Sequence, residues 1–293
     1  MATNVSRVCS AMARRFVVAL LLLWAVAATA QTDEIQVYDG SLAPPGVFNL
    51  TLHDNYIARG SKTAAFPGAV EPYHSFNGVA EWAWGVTDWF EAGLYLPLYS
   101  ISDNEGVTDN GFKGRALFAV PDAADRTFFY GVNFELSYNN RHWDQKRITS
   151  EIRPIVGWHL GAFDLIFNPI LDNSFEGASH LDFAPATRLA YNVASKWQVA
   201  VEEYDDFGPL EDFYPSRDRV HQVFGVFDYE GRAISLEGGI GVGRTPATDD
   251  LTFKLIFSKD LSLGHRGSTG RAALDQYRTR GAQTLVGFLP PGS

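Results

Sequence analysis

The stretch Asn77 to Tyr99, NGVAEWAWGV followed by Thr87-Asp88 and WFEAGLYLPLY, limits the choice of fold more than any other part of the chain. Side chains alternate between the two faces of a strand. Phe90, Ala92, Leu94, Leu96 and Leu98 therefore fall on one side, and Glu91, Gly93, Tyr95, Pro97 and Tyr99 on the other. On the partner strand Trp82 and Trp84 share a face. Each strand runs about ten residues, against about 5–6 for a usual globular strand, and tryptophans crowd the short turn. A hairpin that crosses a thin bilayer has these properties. The fold this predicts is all-β, a single antiparallel transmembrane β-barrel.

The N-terminus decides which residues belong to that fold. Arg7, Arg14 and Arg15 precede an apolar run, 16–28, that ends in Ala28-Thr29-Ala30. This is the pattern of a cleaved secretory signal peptide over 1–30, too short for the roughly 20 residues of a membrane helix. Arg14-Arg15 hints at twin-arginine export, but that route carries folded cargo, so ordinary secretion fits a membrane barrel better. The single cysteine, Cys9, lies in the signal, which leaves the exported chain without a disulfide, a thiolate metal site or a cysteine nucleophile. Without the three arginines of that segment the charge is 21 basic against 34 acidic residues, or −13, and nucleic acid is an unsuitable partner. No later apolar run would make a membrane helix, so a membrane location requires a barrel.

Residues 31–46, with Gly40 and Pro44-Pro45, read as a periplasmic lead-in too short for a large plug domain. The barrel is expected over 47–261. Besides the opening hairpin, alternation recurs at 47–56, 112–120, 127–138, 149–160, 165–172, 181–192, 197–204, 220–229, 234–243 and 251–258, giving about 12 strands. Short connections at 87–88, 121–126, 161–163, 194–196 and 230–232 alternate with longer polar ones such as 100–109. An even strand count with turns at one end and loops at the other is the outer-membrane pattern. Trp84, Trp89, Phe128, Trp158, Tyr191, Trp197 and Tyr229 mark an aromatic girdle near the turns, and Tyr56, Tyr99, Tyr138 and Tyr204 a second near the loops. A periplasmic β-sandwich also alternates, but it needs no aromatic rings at both ends. Pro97, Pro154, Pro169 and Pro185 fall inside expected strands, where each removes a ladder donor.

The blocks GVTDWFEAGLYLPLY, RTFFYGVNFELSYN, EIRPIVGWHLG and LDFAPATRLAYN resemble the bacterial outer-membrane barrels grouped as putative transporters of the phenol-degradation meta pathway, over about Asp33 to Leu261. The resemblance implies a place in the outer membrane and, loosely, transport; it brings no established binding residues. Such barrels commonly end on an aromatic residue read by the assembly machinery. Here a polar tail, 262–293, follows the last strand, with Arg266, Arg271, Arg278 and Arg280 against Asp275. Disorder, or a short helix near Ala272 to Tyr277, is expected there.

By alternation Glu91, Lys113, Arg115, Glu135, Glu151, Arg153, Arg188, Glu202, Glu237 and Lys254 face inward, with alternating sign on neighbouring strands. They form either a charged constriction that selects solutes or an internal cement of ion pairs that fixes strand register. Pro154, Pro169 and Pro185 lie on three consecutive strands and are expected to face outward, either as local bulges or as a weak wall that opens sideways for a hydrophobic solute.

Glu202, Glu203, Asp205, Asp206, Glu211 and Asp212 read as a solvated acidic loop lacking EF-hand spacing, beside lipopolysaccharide and its divalent ions. Gly238, Gly239, Gly241 and Gly243 form no phosphate loop, since no helix follows, and are expected to ease strand curvature. His74 and Ser75 are adjacent, a poor base and nucleophile. His53, His159, His180 and His221 have no spaced partner that reads as a metal site or triad. Neither an enzyme, a metal nor a cofactor is expected. The expected function is a passive outer-membrane channel for small, including aromatic or hydrophobic, solutes, with membrane lipid, lipopolysaccharide and the barrel-assembly machinery as partners. The alternatives are a closed structural or loop-binding barrel and a soluble periplasmic β-sandwich binding protein.

Overall fold

The computed structural model describes residues 34–261; the signal segment expected over 1–30 and the tail 262–293 lie outside the described residues. Its strands are β1 (Phe48–Arg59), β2 (Phe76–Gly85), β3 (Phe90–Ser102), β4 (Gly106–Ala119), β5 (Phe128–Asn139), β6 (Ile148–Leu160), β7 (Phe163–Asn168), β8 (Leu171–Asn173), β9 (Asp182–Phe183), β10 (Ala186–Ala194), β11 (Trp197–Asp206), β12 (Val220–Glu230), β13 (Ser235–Gly243) and β14 (Leu251–Leu261). β7 and β8 are two pieces of one stave, as are β9 and β10, so the barrel has twelve staves. Pairing is antiparallel throughout, and β14 returns to β1 with Phe48 opposite Leu261. Closure leaves no sheet edge among the staves.

The faces are inverted relative to a soluble protein. Large apolar side chains such as Trp82, Leu94, Tyr130, Leu136, Leu189, Val201, Ile240 and Leu255 are exposed on the outer wall, whereas Asn55, Asn77, Ser100, Asn133, Asn168 and Glu202 are buried inside. No helix among the described residues could cross a membrane, so the spanning elements are the strands. Aromatic rings form a band at the turn end through cross-strand neighbours: Phe48 with Trp84, Phe90 with Phe118, Phe128 with Trp158, Phe163 with Tyr191 and Trp197 with Tyr229. Tyr56 and Tyr138 lie outward at the loop end. Tyr204, expected there, instead turns inward, packed edge-on to Phe224.

Three expectations change. The loop expected over 100–109 is mostly strand, since β3 reaches Ser102 and β4 starts at Gly106, whose φ of +69° suits the tight turn between them. At Leu96-Pro97 the pairing with β4 slips, and the alternation changes phase there. Leu98 is therefore 1% exposed and inward, sharing a cluster with Val79 and Tyr95, while Tyr99 joins Phe76 on the outside. Finally, two of the β13 glycines make room for rings rather than curvature: a Cβ on Gly241 would lie 2.3 Å from Phe224 Cζ, and one on Gly238 2.6 Å from Phe227 Cζ.

The lead-in also lies differently. It was expected outside the barrel on the periplasmic side, but Glu34 to Ala43 runs through the interior as a strap. Gly46 and Val47 hydrogen-bond Gly85 at the turn end. From there the strap passes Ala119, Ala123 and Phe129 at Gly40 and reaches mid-barrel at Tyr38, whose backbone N–H and C=O both bond the Asn168 side chain. Val37 and Tyr38 pack with Leu117, Phe129, Ile155, Ile166, Ile170 and Ala186, while Ile35 packs with Ala190, Ala200, Phe224 and Val226. Alternation fixes which face of a strand meets the lumen, but not what fills it.

Candidate functional site

All ten charged residues named from the alternation lie in the interior, gathered on two walls. On the first, spanning β2 to β6, Arg115 pairs with Glu81 at 2.5 Å and with Glu91, and Lys113 meets Glu135 at 3.4 Å. Arg153 grips Glu151 through two bonds of 2.7 and 3.0 Å and lies 3.8 Å from Glu34 of the strap. Tyr38 sits between the two arginines, 4.4 Å below the Arg153 guanidinium and 5.5 Å from that of Arg115, with its hydroxyl 2.6 Å from Tyr95 Oη. On the second wall, spanning β10 to β14, Arg188 is surrounded by Glu202, Asp228 and Glu237 and donates to Gln198 at 2.8 Å. Lys254 pairs with Glu202 and, at 2.5 Å, with Glu237.

The strap joins the walls through main-chain groups. Lys254 Nζ donates to the Ile35 carbonyl at 3.2 Å, Arg153 Nη1 to the Gln36 carbonyl at 3.1 Å, and the Ala43 N–H donates to Glu91 Oε2. These contacts use lone pairs and protons that the wall charges leave over, as burial of ions in a low dielectric requires. Cross-strand partners were the part that alternation did not show. His53 lies 3.0 Å from Glu81, and His159 2.6 Å from Asp164. Register sets these pairs, and spacings of 28 and 5 residues along the chain carry no sign of it.

Pro154, Pro169 and Pro185 come together at an interruption of the sheet. β6 pairs with β7 through Val156 to Leu160 and with β8 through Ser150 to Ile152, so Arg153, Pro154 and Ile155 have no ladder partner on that side. The next seam, between β7/β8 and β9/β10, breaks at Pro169-Ile170 and Ala184-Pro185. Only the Ala184 N–H, donating to the Ile170 carbonyl at 3.1 Å, bridges it among backbone bonds of the described residues. Proline has no N–H to give, which accounts for the break. Pro154 and Pro169 are half-buried and Pro185 is buried, while the next residue, Ala186, packs in the interior. Directly behind the break, Ile155, Ile166, Ile170 and Ala186 pack under Val37 and Tyr38 of the strap in one of the apolar clusters of the interior.

His74 and Ser75 form no catalytic pair: Ser75 is buried and bonds the Pro72 carbonyl, while the His74 ring stacks on Tyr73. The acidic run is split by alternation. Glu202 points inward to Arg188 and Lys254, whereas Glu203 and Asp205 point outward and meet His221. His221 thus has the partners that chain spacing did not reveal.

A closed antiparallel barrel with a polar interior, an apolar outer wall and an aromatic band defines a transmembrane β-barrel of the bacterial outer membrane. In fold the chain is similar to an outer membrane channel from Pseudomonas putida F1, with a TM-score of 0.54 and 13% identity over 78% of this chain and 100% of that one. At that identity the likeness concerns the fold alone. The translocator domain of the autotransporter NalP from Neisseria meningitidis (TM-score 0.39, 10% identity, 75% of this chain and 90% of that one) and LpxR from Salmonella typhimurium (TM-score 0.38, 7% identity, 72% and 99%) are more distant in fold. No protein-family model matches the sequence, and no curated protein matches it.

Proposed function

We propose that the protein is a passive outer-membrane channel for small, predominantly hydrophobic or aromatic solutes, which leave the lumen sideways through the wall at Pro154, Pro169 and Pro185. The observation that carries this reading is the apolar cluster of Ile155, Ile166, Ile170 and Ala186, capped by Val37 and Tyr38 of the strap, behind a break that spans two seams of the barrel. A neutral aromatic solute gains little from a lumen lined with paired charges, and it would have to pass them to reach the periplasm directly. Leaving into hydrocarbon through the wall is favourable by the apolar area it removes from water. The charged residues then serve mainly as the cement that holds the barrel and strap in register, with selection against ions as a consequence. Diffusion down a gradient supplies the driving force.

This reading agrees with the resemblance to the phenol-pathway transporters. With it go an export signal over 1–30, assembly by the barrel machinery and lipopolysaccharide around the loop end.

Replacing all three prolines with valine restores three ladder donors and tests the route. Uptake of a neutral aromatic probe should fall several-fold in vesicles with lipopolysaccharide in their outer leaflet, while ion conductance stays unchanged. Unaltered uptake by the folded triple variant would remove the lateral route.

A further inference from the structure

We propose that Glu203, Asp205 and His221 form a binding site for a divalent transition-metal ion of the zinc class on the outer wall, at the loop end of β11 and β12. Register places Asp205 opposite His221, and Glu203 lies two residues earlier on the same face of β11. Because Glu202 and Tyr204 point inward, Glu203 and Asp205 must point outward. One donor atom from each of the three residues lies within 4.8 Å of the others. His221 Nδ1 is 3.4 Å from Glu203 Oε1 and 2.5 Å from Asp205 Oδ1.

Donor atoms on a tetrahedral zinc ion, each about 2.0–2.2 Å from the metal, are about 3.3–3.6 Å apart. The Glu203 to His221 spacing already fits. Asp205 must retreat by about 1 Å, which rotation of a half-buried carboxylate on a fixed strand supplies. The backbone of His221 is anchored on both sides: its N–H donates to Thr248 Oγ1 at 2.8 Å, and its carbonyl accepts from the Arg244 N–H at 2.8 Å. Two carboxylates and a neutral imidazole balance the charge of a dication. The nitrogen donor selects the class, since calcium and magnesium take six or more oxygen ligands and this trio offers too few. A fourth position opens outward to water.

An alternative use of the trio is an ion pair of protonated His221 with two carboxylates, which holds no metal. Titration calorimetry of the full exported chain in detergent, without a histidine tag, separates the two. The account expects one zinc ion bound per barrel, no competition from a large excess of calcium, loss of binding in His221→Ala, and weakening by about tenfold or more in Glu203→Gln. Heat-modifiable migration on a gel confirms that each variant is folded. Absence of zinc binding by the native chain, or equal binding by folded His221→Ala, would overturn the site, as would displacement by calcium.

Discussion

Arg188 shows how a buried charge is made tolerable in this barrel. Its guanidinium meets Glu202, Asp228 and Glu237 and the Gln198 amide, so its donors face acceptors on four side chains. Replacing it with methionine leaves these carboxylates facing one another, with Lys254 the remaining cation paired to two of them. Breaking a buried pair from one side costs about 3–5 kcal/mol. Arg188→Met should lower the urea midpoint of the refolded barrel accordingly, whereas Lys146→Met, which breaks an exposed pair with Glu176, should change it by less than about 1 kcal/mol. Equal midpoints for the two variants would mean that the interior ions are as well solvated as the surface ones. Alternation places Arg188 and its inward neighbours in the lumen because a strand has only two faces. The same alternation turns Asp228 and Glu81 inward, but it does not show that they complete the pairs, because each lies two staves from its partner.

At the scale of elements, the strap and the interrupted staves are where the molecule departs most from a plain barrel. The polar anchors of the strap are main-chain carbonyls and N–H groups more than side chains, apart from Tyr38 and Glu34, so no charge pattern in 34–46 announces it. Pro44-Pro45 and Gly46 mark only the corner where the chain turns from the interior into β1. Removing residues 34–43 takes away the groups that occupy the middle of the lumen, and single-channel conductance in a planar bilayer should rise several-fold. Unchanged conductance would mean that ions bypass the strap. The prolines are legible as exceptions inside strands, yet their meeting across two adjacent seams needs the register of β6, β7/β8 and β9/β10. Pro97 is a different case: it shifts the phase of β3 at a bulge, so Leu98 and Tyr99 exchange faces relative to simple alternation.

For the whole molecule, the twelve staves, their antiparallel order and their membrane setting follow from strand length, alternation and aromatic ends, because a closed barrel is the arrangement that satisfies every backbone group in lipid with such strands. The contents of the barrel do not follow from those signals. Paired charges and the strap fill a lumen that an unoccupied ring of alternating residues would leave open, and this supports the proposal that the channel passes uncharged solutes. The most direct measurement compares uptake of naphthalene and of benzoate by the same protein in vesicles with lipopolysaccharide in their outer leaflet. Entry of naphthalene well ahead of benzoate is the predicted result. Equal rates for the two would contradict the account and point to an open aqueous pore along the barrel axis.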